Sequence, residues 1–203
     1  PSLMKRIPLS PSERQANLDY PINSNRKTKE WVNKLREKYT DLELIEYVLQ
    51  YFNQNPYSYT LTPPPLGANS VDEFMFSTRQ GFCSHYASAF ALIMRYAGIP
   101  SRIVAGYLGG EWNDEVGYLN VYQYDAHAWN EVWLQGKGWV RVDPTASVAS
   151  ERVEQGLAQS LSDQRGFLSD SVISLAKYQK IAWLNALRLK LANVEYYWSR
   201  WLL

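Results

Sequence analysis

The sequence predicts an α+β fold, and three observations carry that prediction. Helical patterns fill residues 26–96, with two Ser/Thr-x-x-Glu spacings marking helix starts. The period then changes to two just after Gly98 and Pro100, residues that end a helix. Finally, the alternating stretch 127–145 is split by Gly-Lys-Gly, a hairpin signal. Helices come first and a run of antiparallel strands follows.

Taken in order, residues 1–25 are polar and rich in Pro, Ser and Asn, and read as an extended lead-in. From Arg26, residues Trp31, Leu35 and Tyr39 recur at i, i+4, i+8. Thr40-x-x-Glu43 then opens a second helix with Leu42, Ile45, Leu49 and Phe52 along one face, so two early helices pack together. Tyr57, Tyr59 and Leu61 alternate in a short strand, which three prolines terminate. Ser70-x-x-Glu73 is a second capping box and opens a short helix. A further helix carries Ala87, Phe90, Ala91 and Met94 as a stripe. "SRIVAGYLG" and "EVGYLNVYQYD" read as strands, with a turn near Asn113. "HAWNEVWLQ" sets Trp129, Glu131 and Trp133 against Ala128, Asn130 and Val132, and "WVRVDPT" returns beside it. Residues 146–170 are Ser/Gln-rich and irregular. A long helix follows, with Ile173, Leu184, Leu187, Leu191, Val194 and Trp198 on a broad face. The organisation predicted is a lead-in (1–25), a catalytic domain (26–170) and a basic, aromatic C-terminal helix (171–203). That last helix carries five Lys or Arg and one Glu. It reads either as a helix docked on the domain or as a juxtamembrane segment.

Composition narrows the function. The 203 residues are 46% hydrophobic, enough for a sizeable core, and the formal net charge is +1. That balance leaves no whole-domain field for nucleic acid. The single cysteine rules out an internal disulfide and an all-cysteine zinc site. No run of about 20 apolar residues and no signal peptide is present, and the chain is expected to be a soluble portion of something longer.

The chemistry centres on "GFCSHYASAF", residues 81–90. Cys83 falls where a polar loop becomes an apolar-periodic helix, and a thiol at a helix N-terminus is favoured as thiolate. Gly81 is expected to leave room for a substrate to approach the backbone. His85 is the tempting base, but residues i and i+2 of a helix do not face each other. It reads as a packing residue. His127 is the better base. It opens a strand whose hairpin partner ends at Asp143, and a turn near Gly136–Gly138 brings His127 and Asp143 side by side. The carboxylate then orients the imidazole and leaves the other ring nitrogen for the thiol. The alternatives are a buried structural cysteine and a turn role for Asp143 ahead of Pro144. A metal site from Cys83, His85, His127 and Asp143 is disfavoured by the i, i+2 spacing and by the lack of further ligands.

"GFCSHYASAFALIMRYAGIPSRIVAGY" and "DAHAWNEVWLQGKGWVRVDPT" together resemble the transglutaminase-like superfamily, with its papain-like Cys-His-Asp core. Within it the chain looks like the soluble domain of TgpA-type bacterial inner-membrane transglutaminases. The resemblance implies a transglutaminase-core fold with Cys83, His127 and Asp143 as the catalytic set. It implies a protein-glutamine γ-glutamyltransferase that forms a thioester with a glutamine side chain and passes the acyl group to an amine such as lysine, or to water. A cysteine peptidase or amidase, or a non-catalytic scaffold, stays open beside it. The partners implied are proteins or peptides with accessible Gln and an amine donor, and a membrane reached through flanking transmembrane segments absent from this chain. The location implied is periplasmic. The Cys83 N–H is one expected oxyanion donor, while Gln80 reads as a loop residue. No Asp-rich calcium loop is seen, so no metal and no cofactor is expected.

Overall fold

The computed structural model describes residues 8–114 and 117–149. Two units divide them: residues 8–106 with 127–149, and residues 107–126. Of the irregular stretch expected over 146–170, residues 150–170 lie outside the described residues, as does the C-terminal helix expected over 171–203.

The first unit begins with a helix where the composition suggests an extended lead-in. α1 (Pro11–Ala16) forms because Ser10-x-x-Glu13 is a capping box and Pro11 takes the first helical position. Ser10 Oγ accepts from the Glu13 N–H at 3.2 Å, and Glu13 accepts from the Ser10 N–H at 3.1 Å. α2 (Arg26–Arg36) and α3 (Asp41–Gln54) follow. At the start of α3, Glu43 accepts from the Thr40 N–H at 2.9 Å, the return bond of a capping box, and from the Thr40 hydroxyl at 2.8 Å. The buried face of α3 is Leu44, Ile45, Val48 and Phe52. Leu42, expected inside, is 44% exposed. Two overlapping apolar stripes occur in this helix, and packing against the rest of the unit selects the other one.

β1 (Ser58–Tyr59) pairs in parallel with β2 (Gln80–Gly81). Between them, α4 (Ser70–Glu73) runs on as a single wider turn, Phe74–Thr78. Ser70-x-x-Glu73 is not a capping box here. Asn69 precedes the helix, and Glu73 instead accepts from the Gly67 N–H at 2.7 Å, closing the proline-rich loop. The cap of α4 comes from α2's leading residue: Asn25 Oδ1 accepts from the Val71 and Asp72 N–H groups. Asp72 reciprocates by accepting from the Lys27 N–H, the Thr28 N–H and the Thr28 hydroxyl at 2.6–3.0 Å. Each helix thus supplies the acceptor for the other's orphan N–H groups.

α5 (Cys83–Tyr96) is buried almost all round in its second half, from Ala89 to Met94. Gly98, at φ 78°, ends it: the Ile99 N–H reaches back to the Met94 carbonyl, the glycine stop expected from the sequence. An aromatic cluster packs around the helix. Phe52 lies 5.0 Å from Tyr57 and 5.6 Å from Tyr86, and Phe74 lies 5.0 Å from Tyr86. β3 (Ser101–Tyr107), β6 (Ala126–Leu134) and β7 (Gly138–Val142) form a sheet in the order β3-β6-β7, with β6 and β7 antiparallel. Val132, Leu134 and Val142 join the core from this sheet.

The second unit is a small hairpin, β4 (Glu111–Asn113) on β5 (Tyr118–Asn120), followed by a 3₁₀ turn at Gln123–Asp125. The Leu108 N–H donates to the Asp125 carbonyl and closes the loop.

Candidate active site

Cys83 is the first residue of α5, half-buried, after an extended Phe82. The helix dipole therefore acts on its sulfur. His85 turns back from the same first turn. Its Nδ1 accepts from the Phe82 N–H at 3.4 Å, and its ring packs edge-on to Phe82 at 4.4 Å and 5.9 Å from Phe74. Burial holds its pKa below the ordinary imidazole value, so it caps the helix in its neutral form. This fold-back corrects the expectation for Gly81. A Cβ there would lie 2.7 Å from His85 Cβ and 3.0 Å from Phe74 Cε2. The missing side chain makes room for His85, not for a substrate. Gln80 is paired with Ser58 in β2 and is not in a loop.

The β6–β7 hairpin brings the second and third residues together. Asn130 is paired with Val142 and Leu134 with Gly138, so the ladder centres on Gly136. Continued outward, that register sets Asp143 opposite Trp129 and one diagonal step from His127. Diagonal neighbours on one face are within reach of long side chains. His127 Nε2 lies 2.8 Å from Asp143 Oδ2, and both side chains are buried. The other carboxylate oxygen accepts from the Thr145 N–H at 3.2 Å, which caps the 3₁₀ turn Pro144–Ser147.

The remaining ring nitrogen, Nδ1, is buried. Burial alone would depress the His127 pKa. The hydrogen bond to Asp143 and the nearness of the Cys83 thiol, with the charges of both, outweigh it and raise the pKa above its ordinary value. A carboxylate, an imidazole and a thiol in that order are the groups a nucleophilic cysteine site requires. Asn130 ties the two halves. It is fully buried on β6, and its Nδ2 donates to the Ala87 carbonyl of α5 at 3.0 Å, one turn beyond Cys83.

Three residues near this pair were given no part in the site by the sequence reading: Asn130, Trp129 and Arg141. Trp129 stacks beside His127 at 6.3 Å, and Arg141 donates to Asp143 Oδ2 at 3.0 Å. The available signal was period two: 127 and 129 share a face of β6, and 141 and 143 share a face of β7. Among the described residues, no group of three or more His, Cys, Asp or Glu side chains is arranged to hold a metal ion. Nor is any helix long and apolar enough to cross a membrane.

The model of the transglutaminase-like superfamily matches residues 29–144, and the chain belongs to that superfamily. Among curated relatives, a protein-glutamine gamma-glutamyltransferase of Pseudomonas aeruginosa is 45% identical over the whole of this chain, which spans 30% of that relative's length. The coagulation factor XIII A chain of Homo sapiens is 32% identical over 48% of this chain and 17% of its own. The crystal structure of the periplasmic domain of TgpA from Pseudomonas aeruginosa superposes with a TM-score of 0.73 at 49% identity, covering 76% of this chain and 54% of that one.

Proposed function

We propose that the chain is the acyl-transfer domain of a protein-glutamine γ-glutamyltransferase, with Cys83, His127 and Asp143 as its catalytic residues. The observation that carries this is the His127–Asp143 pair at 2.8 Å, beside the thiol of the first residue of a helix. The Pseudomonas aeruginosa relative's name supports the choice of reaction.

The chemistry follows from the arrangement. The Cys83 thiolate attacks the carboxamide carbon of a glutamine side chain. The developing oxyanion takes a hydrogen bond from the Cys83 N–H at the helix start. The His127 imidazolium gives its proton to the departing ammonia, and a thioester remains. An amine then attacks the thioester carbonyl, neutral His127 takes the amine's proton, and the thiolate leaves as the new amide forms. Asp143 holds the imidazole in place through both steps. Water in place of the amine gives hydrolysis, so acceptor choice lies in the cleft and not in these three residues. By analogy with the periplasmic domain of TgpA, we place this domain on the periplasmic side of a bacterial inner membrane. Proteins or peptides with exposed Gln are its donors.

The test is incubation with a glutamine donor peptide and a labelled primary amine, reading label transfer and ammonia release. Transfer is expected in the wild type and lost in Cys83→Ala. Peptide cleavage without labelling would establish a peptidase instead. Activity that survived His127→Ala but vanished in His85→Ala would overturn the assignment of the base.

A further inference from the structure

Arg141 is 47% exposed at its side chain, yet its guanidinium is committed inward. Its cross-strand partner Glu131 is already engaged by Arg102, Nε to Oε2 at 2.8 Å. Arg141 instead donates to Asp143 Oδ2 at 3.0 Å, the same oxygen that pairs with His127 Nε2. Its guanidinium carbon also lies 5.2 Å from the centre of the Trp129 ring, and that ring stacks beside His127. Trp129 in turn rests over Gly106. A Cβ at Gly106 would come 2.8 Å from Trp129 Cη2, so the absent side chain leaves room for the indole. Gly106, Trp129 and Arg141 form a stack whose outer member grips the carboxylate.

We infer that Arg141 is a positioning residue of the site: it fixes Asp143 from the outer side and limits how strongly that carboxylate holds the His127 imidazolium. The inference rests on the catalytic reading of Cys83, His127 and Asp143. A carboxylate oxygen shared between two donors gives each less than it would give one. Among the described residues, the charges acting on His127 are those of Cys83 and Asp143, with Arg141 behind Asp143. Cys83 comes from α5, and Asp143 and Arg141 come from β7 and its end. Glu131, two places beyond the neutral Trp129 on the same face of β6, is held by Arg102. With Arg141 removed, Oδ2 serves His127 alone. The imidazolium is then held more tightly and keeps its proton to higher pH, while the carboxylate plane loses an anchor and the productive orientation is populated less.

The test is the rate of Cys83 alkylation by iodoacetamide against pH, measured with amine-transfer kinetics, in the wild type, Arg141→Met and Arg141→Lys. Alkylation reports the thiol–imidazole pair without any substrate. For Arg141→Met, the upper transition, where the imidazolium loses its proton, is expected at higher pH than in the wild type. Its kcat/KM is expected to fall about two- to fivefold, the scale of a half-exposed ion pair. Arg141→Lys keeps the charge without the planar fork or the stack and is expected in between. Superimposable wild-type and Arg141→Met profiles with equal kcat/KM overturn the inference alone. A wild-type profile with one ordinary thiol ionisation overturns the catalytic reading, and this inference with it.

Discussion

His85 lies two residues from Cys83, and its side chain serves the helix that carries the thiol. Its Nδ1 accepts an N–H that would otherwise be an orphan at the start of α5, and its ring fills the space that Gly81 leaves. Loss of a cap of this kind costs about 1 kcal/mol. His85→Ala is therefore expected to lower the unfolding free energy from denaturant titration by that amount while leaving the rate of Cys83 alkylation within about twofold of wild type. His127 titrates in the opposite sense. Its pKa is raised in the folded protein, so the stability it contributes is fully present below the ordinary value near 6.5. That contribution is lost as pH rises through the higher folded value. In a series of unfolding curves, wild type is expected to lose stability over that window relative to His127→Gln. Parallel curves would show that the protonated ring gains nothing from its partners.

At the scale of elements, two contacts decide how the site is assembled. Asp72 caps α2 from α4, and Asn25 caps α4 from the start of α2. Asp72→Ala strips three hydrogen bonds from a buried acceptor at once, and a loss of about 3 kcal/mol in unfolding free energy is expected. Asn130 acts closer to the chemistry, because it joins β6 to α5 through the Ala87 carbonyl. Asn130→Ala is expected to reduce amine transfer about tenfold, since small displacements of reacting groups are costly. Unchanged kcat/KM in a folded variant would mean that packing alone holds the two elements in register. Neither contact was legible in the chain. A capping box is written in four consecutive residues, whereas Asp72 and Thr28 are partners only once two helices meet end to side. The α3 face shows the same limit. Its helical period was readable, but Leu42 and Leu44 offer competing stripes, and only the neighbours choose between them.

At the scale of the whole molecule, the aromatic cluster around α5 is the common support of the first unit. Phe52, Tyr57, Phe74 and Tyr86 link α3, the strand pair and the Cys83 helix, and Phe52 is almost fully buried. Phe52→Ala is expected to destabilise by about 3–5 kcal/mol in denaturant titration, with thiol reactivity lost over the same transition as tryptophan fluorescence. Thiol reactivity lost well before the fluorescence change would show that the site opens separately from the core.

Legible in the chain were the succession of helices and then strands, the start of the Cys83 helix, its glycine stop and the hairpin that pairs His127 with Asp143. Each depends on residues near one another in the chain, where backbone preference and periodicity are written directly. The lead-in helix was equally local, and its Ser10-x-x-Glu13 box was there to be read. That the thiol, 44 residues before the imidazole in the chain, stands beside it is a matter of how helix and sheet pack. Only the tertiary structure decided that His85 faces its own cap and that Arg141 shares the Asp143 oxygen. Those placements follow from helix-on-sheet packing and side-chain direction, which burial and shape set jointly across the whole unit and no short window of sequence contains.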